Sequence, residues 1–460
     1  MVCVNRRYLD YSEALDKILG FVDPIGTQTP SGLRSRYDLS QITSFLEELG
    51  NPHKDRTTVH IAGTKGKGST SVMTASILES AGYTTGLFTS PHLHSFCERI
   101  RVGMEQIAEQ DFADLVERLL PIREKATLPG RKITLFELLT AMSFLHFADK
   151  GIGFQVMEVG LGGRLDSTNV VDPNVCGITS LGLDHTEVLG DTLEEIAFEK
   201  AGIIKKGVPV VSASQEPEAL GVLRDIARQQ SSRLIVVGED IRFRRQGNSL
   251  DGQEFELVTP ENRYNLKIPL IGEYQVTNAA VAVGIIETLI SQGIDIEDYH
   301  IVDGLSRVQW PCRLEILSRE PLVIADGAHN PHAAKEVVRS IRDMFPDKRI
   351  ILIAGIQANH DVDKLVTELS YMSPDVVLTT RSRHPRAVDP SSITELFRSY
   401  VSDVYPSHSV KNALDMALNI VEGDDLILSI GSLFVAAETR EIINDISPED
   451  YPVFNAQRKN

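Results

Sequence analysis

Cysteine is scarce and scattered. Cys3, Cys97, Cys176 and Cys312 are the four in 460 residues, and they lack the spacing of a zinc site or a disulfide framework. Long apolar runs are also missing. No stretch approaches the roughly 18 uncharged apolar residues of a membrane span. The N-terminus, with polar Asn5, Arg6 and Arg7, has no apolar segment of the kind that marks a secretory leader. The expectation is a cytoplasmic protein with no membrane partner. Positive charge is in deficit, with Lys and Arg totalling 46 against 64 Asp and Glu and a formal net charge of -18. That excludes the basic stripe a non-specific nucleic-acid binder needs. It leaves anionic ligands open, because backbone amides can bind phosphate inside an acidic protein. Internal repeats and low-complexity segments are absent as well.

What is present is enough chain for two or three domains. Apolar residues at 42% and charged residues at 24% are a globular balance. Residues 11–21 and 39–49 carry helix-period apolar positions. Residues 57–62 read as the first strand, followed by a glycine-rich turn and a helix with Val72, Ala75, Leu78 and Ala81 inward. Further strands are predicted at 154–159, 175–181 and 208–212, with a helix at 192–205. Apolar strands separated by helices predict an α/β fold with a parallel sheet covered on both faces. Residues 235–270 are more polar and read as an insertion or small side sheet, and residues 279–289 return to helix. After a pause at 303–310 a second α/β run begins, with strands at 322–325, 349–354, 376–380 and 426–430. The expected division is 1–305 and 306–460.

The sharpest local signal is Gly63-Thr64-Lys65-Gly66-Lys67-Gly68-Ser69 between the first strand and its helix. Backbone N–H groups and a helix N-terminus in that setting can cradle phosphates. Lys67 would reach the outer phosphates and Ser69 would help start the helix. The stretch is not a strict Walker A motif, because Gly68 intervenes before Ser69. The plainer reading is a solvated glycine turn.

Acidic and basic residues gather where strands end. Glu158 closes an apolar strand at the edge where parallel sheets bind ligands, and it needs a partner such as a magnesium ion. His185 follows the next strand in Gly182-Leu183-Asp184-His185 and reads equally well as a surface residue or a site residue. Lys200 falls on the apolar stripe of its helix, where it either snorkels or sits desolvated with a lowered pKa. In the second run, the strand at 322–325 empties into Asp326-Gly327-Ala328-His329-Asn330-Pro331 before a helix. A helix cap explains one of these polar residues but not the cluster. Arg313, after Trp310-Pro311-Cys312, can clamp a phosphate or carboxylate.

These motifs, in order, resemble the folylpolyglutamate synthase/dihydrofolate synthase family of Mur-type amide ligases. The resemblance runs from about Leu39 to Arg440. It is carried by the phosphate loop, Thr89-Ser90-Pro91-His92-Leu93, the stretch 158–169 from Glu158 to Asn169, Leu183-Asp184-His185 and Glu199-Lys200-Ala201-Gly202-Ile203. In the second half it is carried by Trp310-Pro311-Cys312-Arg313, the stretch 326–331, Pro385-Arg386-Ala387 and Gly431-Ser432-Leu433-Phe434. It implies a P-loop-type central domain and a smaller Rossmann-like C-terminal domain.

It also implies an ATP-dependent carboxylate–amine ligase that works through an acyl phosphate. The substrates would be L-glutamate with dihydropteroate or a reduced folate, on a monomer. Ser90, Glu158 and His185 match magnesium positions, and Lys200 matches a lysine carbamylated by carbon dioxide. Asn278, Arg313, Asp326 and His329 match positions around the nucleotide. Lys67, His185, Lys200 and His329 are the implied catalytic set. The bifunctional form is favoured. Alternatives are a monofunctional folylpolyglutamate synthase, a Mur-like ligase for another carboxylate, and a non-catalytic nucleotide-binding protein. The chain departs from the family pattern at Lys65 (usually Asn), Cys312 (usually Gly), Tyr274 (commonly His) and Asn359-His360-Asp361. The loop 29–33 is a plausible pterin contact.

Overall fold

A computed structural model of the chain describes residues 9–20, 38–126, 128, 132–358 and 361–449. The loop 29–33, Asn359 and His360 lie outside these residues. The larger sheet contains β1 (Thr57–Ala62), β2 (Thr85–Phe88), β3 (Ile100–Val102), β4 (Glu105–Gln106), β5 (Phe154–Glu158), β6 (Val175–Ile178), β7 (Val210–Ser212) and β8 (Leu234–Val236), in the order β4-β3-β2-β5-β1-β6-β7-β8. From β2 to β8 the pairs are parallel, and β3 and β4 extend one edge antiparallel. Every residue of β5 and β6 is buried, which is why neither alternates apolar with solvent-facing polar positions, and the polar residues of β5, Gln155 and Glu158, are buried too.

The polar stretch after β8 forms an antiparallel side sheet of β9 (Arg242–Ser249), β10 (Gly252–Val258) and β11 (Arg263–Ile268). The second α/β run forms its own sheet from β12 (Glu315–Arg319), β13 (Leu322–Ala325), β14 (Ile350–Ala354), β15 (Val376–Thr379), β16 (Val404–Pro406) and β17 (Leu426–Ile430), in the order β12-β13-β17-β14-β15-β16. Only β12 runs antiparallel to its neighbour there. The expected strands appear within a few residues of their predicted ends. β2, β3, β4, β12 and β16 were not expected; they are short or lie toward sheet edges, where hydrophobic periodicity is weakest. The helices Glu109–Ala126 and Leu135–Asp149 also escaped the sequence reading. The second is buried almost all round, so it offers no apolar stripe to recognise.

The helix Lys67–Ser80 is the element through which this packing reaches the glycine turn. It lies against the helices Glu273–Ser291 and Asp298–Ser306 and against β2 and β5. Ser76 Oγ donates to Gly304 O at 2.7 Å, and Ser80 Oγ donates to Asp303 Oδ2 at 2.7 Å. A Cβ at Gly304 would lie 2.5 Å from Ile77 Cα, so glycine permits this close approach.

The helix Leu433–Asn444 packs on β12, β13 and β17 and also meets the loop after β2. His94 donates from Nδ1 to Glu441 Oε1 at 3.1 Å and accepts at Nε2 from Arg440 Nη1 at 3.0 Å. Arg440 Nε also meets Glu315 Oε1 at 3.0 Å. No helix among the described residues is long and apolar enough to cross a membrane.

Gly304→Ala is expected to lower the unfolding free energy by about 1–3 kcal/mol, because the obstructing atoms are backbone and cannot rotate away. Urea denaturation measures this directly. An unchanged midpoint and slope would mean that the two helices are not in contact at Gly304.

Candidate active site

β1 lies between β5 and β6, so whatever follows β1 stands beside the ends of both neighbours. The chain leaves Ala62 through Gly63 and turns at Gly66, whose φ is +87 and which caps the helix Lys67–Ser80. The N–H groups of Thr64 and Lys65 donate to Ser180 O at 2.9 and 3.1 Å. Thr64 Oγ1 and Gly182 exchange two hydrogen bonds at 3.1 and 3.2 Å. The turn is therefore tied to the loop after β6.

Three side chains fill the space that the glycines leave open. A Cβ would lie 1.8 Å from Thr179 Oγ1 at Gly63, 2.1 Å from Asn278 Oδ1 at Gly66 and 2.8 Å from Trp310 at Gly68. Asn278 is itself held by Gln275 at 3.0 Å. Thr70 Oγ1, Ser71 Oγ and Gln275 Nε2 are buried without a hydrogen-bond partner. This fits a polar ligand seated on the loop, since buried polar atoms are otherwise satisfied.

Glu158 ends β5 at 3% exposure, and its Oε2 accepts from the N–H of Ser90 at 2.9 Å. Burial pushes its carboxyl pKa up, with the charge of Lys67 and the Ser90 N–H opposing. The structure thus joins Ser90, Glu158 and the phosphate-loop lysine. The Glu158 carboxylate, with Ser90 held to it through the backbone N–H, supplies hard oxygen donors of the class that suits magnesium. His185 lies on the loop after β6 with φ +52, and its Nδ1 is 3.8 Å from Glu187 Oε1. Among the described residues, no group of three or more His, Cys, Asp or Glu side chains is arranged to hold a metal.

Lys200 is 4% exposed, and its Nζ donates to Gly63 O at 2.9 Å. Burial, reinforced by the charge of Lys67, lowers its pKa to about 7. The apolar-stripe lysine is thus a desolvated amine pointed at the base of the phosphate loop. The surrounding backbone is braced. Arg164 meets Glu199 at 2.8 Å, and Asn169 donates to Arg164 O and Gly202 O at 2.9 and 3.1 Å. Asp166 accepts the N–H groups of Leu161 and Thr168 at 2.9 and 3.0 Å.

The second cluster follows β13. Asp326 is buried, and its two oxygens accept from the N–H groups of Leu314 and Ala328 at 2.8 and 2.7 Å. Burial raises its pKa, opposed by Arg313, these N–H groups and a hydrogen bond from Tyr274. The Tyr274 phenol is itself pushed well above its ordinary pKa, by burial first and by Asp326 next, so it remains a donor. His329 Nδ1 donates to Gly327 O at 2.9 Å, which leaves Nε2 as the ring's other polar atom. Asn330 caps the helix Pro331–Met344 and donates Nδ2 to Asp184 Oδ2 at 2.8 Å.

The structure therefore brings the clusters after β1, β6 and β13 into contact. Tyr274, a departure from the family pattern, Asp184, the carboxylate beside His185, and Asn330, from the polar cluster after β13, are the side chains that make the junction. Arg101, Trp310, Arg313, Thr89, Leu93 and Leu433 line a cleft alongside it.

The chain matches the Mur ligase middle domain over residues 61–286 and the Mur ligase, glutamate ligase domain over residues 312–433. It is 34% identical over 417 residues to the dihydrofolate synthase/folylpolyglutamate synthase of Bacillus subtilis (strain 168), covering 88% of this chain and 94% of that protein. It is 32% identical over 410 residues to the folylpolyglutamate synthase of Lacticaseibacillus casei, covering 88% and 94%. The crystal structure of Mycobacterium tuberculosis folylpolyglutamate synthase complexed with ADP superposes with a TM-score of 0.87 at 28% identity, covering 96% of this chain and 100% of that one.

Gly66→Ala places a Cβ in a left-handed backbone and against Asn278. It is expected to weaken ATP binding by at least about tenfold, the equivalent of ~1.4 kcal/mol. Titration calorimetry with circular dichroism as a folding control measures it. Unchanged affinity in a folded variant would remove this turn from the nucleotide site.

Proposed function

The chain belongs to the folylpolyglutamate synthase/dihydrofolate synthase family of Mur-type ligases, and from that premise we propose that it carries both activities of the family. It is an ATP-dependent carboxylate–amine ligase that joins L-glutamate to a pteroate or folate carboxylate. The observation that supports this most directly is the meeting of two strand-end clusters. Lys67, Glu158 and Lys200 stand on one side and Asp326, His329 and Asn330 on the other, joined through Asp184. The matches ending at residue 286 and beginning at 312, together with the change of sheet between β11 and β12, support a domain boundary near residue 305.

In the first step a carboxylate oxygen of the substrate bonds to the γ-phosphorus of ATP as the β–γ bridging bond breaks and ADP leaves. With the N–H groups of Thr64 and Lys65 held by Ser180 O, the loop from Gly63 to Ser69 binds the phosphates through the N–H groups from Gly66 onward, and Lys67 places a positive charge where negative charge accumulates. Asn278, Arg313, Asp326 and His329 surround the rest of the nucleotide. Ser90, Glu158 and His185 would hold magnesium, which when bound neutralises charge on the phosphoryl oxygens. In the second step the glutamate amine attacks the acyl carbon, an amide bond forms and inorganic phosphate leaves. Contact between the two clusters excludes water that would hydrolyse the acyl phosphate. Arg101 and Arg313 give the adjoining cleft the charge to receive carboxylates.

Lys200 has the chemistry for carbamylation. A neutral amine bonds to the carbon of carbon dioxide and releases a proton, which converts a buried would-be cation into an anion. A lysine with a pKa near 7 presents that neutral amine at physiological pH, where an ordinary lysine does not.

Phosphate release from MgATP is expected with L-glutamate and dihydropteroate, and also with L-glutamate and a reduced folate monoglutamate, each product heavier by one glutamate. Release with one acceptor alone would establish a monofunctional synthase. Silence with both from a protein that binds ATP would end the folate reading.

Carbon-13-labelled bicarbonate is expected to give one carbamate resonance that grows as pH rises through about 7, because deprotonation supplies the nucleophile. Lys200→Met should lack it and lose activity on the order of 100-fold. The same resonance in Lys200→Met would assign the carbamate to another amine.

A further inference from the structure

A single carboxylate oxygen joins the two halves of the site. Asp184 Oδ2 accepts from Lys65 Nζ at 3.0 Å and from Asn330 Nδ2 at 2.8 Å. Lys65 belongs to the phosphate loop, Asp184 to the loop after β6, and Asn330 is the N-cap of the helix Pro331–Met344. The lysine and aspartate side chains are 22% and 14% exposed, so water screens the pair only partly. The contact continues on the same helix turn, where a Cβ at Gly182 would lie 3.1 Å from the His332 ring.

Asn330 has two separable roles. Its Oδ1 accepts from the N–H of Ala333 at 3.0 Å and caps the helix, while its Nδ2 reaches across to Asp184. A cap alone is met equally well by serine or aspartate. Only the crossing bond needs an amide nitrogen.

We propose that Asn330 is a positioning residue that latches the segment Asp326–Asn330 onto the phosphate loop through Asp184, with Lys65 as the charge that keeps Asp184 in place. The latch ties the residues expected to touch the nucleotide from the C-terminal side to the loop expected to hold its phosphates. Lys65 has three N–H donors and one is on Asp184, so it can meet a phosphate while holding the carboxylate. Loading of the loop and the grip on the C-terminal domain therefore reinforce one another. A lysine at this loop position makes the link electrostatic, with its ammonium 3.0 Å from the shared acceptor, and hydrogen bonds with a charged partner are the stronger kind. The coupling rests on the ligase reading for its purpose, but the latch rests on geometry alone.

The test is a cycle of Asn330→Ser, Asp184→Ala and the double variant in the full chain. Titration with MgATP reads affinity, and glutamate-dependent phosphate release reads kcat and KM. Asn330→Ser retains the cap, so its melting temperature should stay near that of the unaltered chain while MgATP binds on the order of tenfold more weakly. In the Asp184→Ala background the same substitution should change affinity no further, because the acceptor is already gone. KM for ATP should rise more than kcat falls.

Equal losses in both backgrounds, or no loss in either, would overturn the latch and leave Asn330 as a helix cap. If Asp184→Ala does not fold, Asp184→Asn takes its place, and the loss caused by Asn330→Ser should then shrink rather than vanish. An undiminished loss there overturns the proposal. Failure of MgATP binding by the unaltered chain also overturns it. MgATP binding without ligation of any folate would instead count against the ligase reading, while the affinity cycle still decides the latch.

Discussion

The left-handed turn at Gly66 is the constraint on which the other site features depend. A strand that must become a helix while presenting its N–H groups has room for very few side chains, and the structure fills the vacated space from elsewhere. Thr179 comes from the end of β6, Asn278 from the helix Glu273–Ser291 and Trp310 from the approach to the second sheet. Lys200 donates to the carbonyl of Gly63 from yet another helix. Elements far apart in sequence thus converge on a few loop atoms, so an error in any of them moves the phosphate cradle. The close approach at Gly304 belongs to the same arrangement, because it sets the depth of the helix that the turn begins.

Around this turn the chain buries groups that a stability-driven core would reject. Glu158, Lys200 and Asp326 are nearly inaccessible, and burying an ionised group is costly unless it is paired and hydrogen-bonded. The three meet that cost differently. Asp326 gathers two backbone N–H groups, a phenol and a nearby guanidinium. Glu158 has one N–H and the electrostatic help of Lys67. Lys200 donates to a carbonyl and feels the charges of Asp184 and Asp166, yet its pKa still drops toward neutrality under burial and the charge of Lys67. The residue whose charge is least well compensated is the one proposed to react as a neutral amine. That ordering is what a site tuned for reaction shows.

Much of this was legible in the sequence for identifiable reasons. β1, β5, β6, β13, β14, β15 and β17 are apolar strands with clear edges, and the clusters after β1, β5 and β13 announce themselves as polar residues where an apolar run stops. The position of Lys200 on an apolar stripe was readable from helical spacing, and its burial follows from it. The helix Leu135–Asp149 was not readable, because a segment buried on all faces carries no period. Asp184 and Asn330 were hidden for another reason. Each looks like ordinary loop or cap chemistry within its own segment, and only their shared hydrogen bond, a relation between distant residues, marks them as a junction.

The departures from the family pattern also become intelligible once the junction is visible. Cys312 has a φ of +54, a backbone that glycine adopts freely and cysteine adopts with strain. Its carbonyl accepts from Gly327 N at 2.9 Å, so the strained residue is held by the very loop it supports. Tyr274 enters from the helix Glu273–Ser291 and donates to Asp326 across to the second sheet. Lys65 reaches Asp184, which Asn330 meets from the other side. All three lie on the seam between the sheets, and Lys65 is also close enough to Lys200 for its charge to help lower that amine's pKa. These three side chains bear on how the halves fit together. Catalytic chemistry demands particular atoms, whereas a hinge or seam demands only that opposing surfaces fit, and a phenol, a thiol-bearing backbone or an ammonium can each satisfy that demand if its partner is in reach.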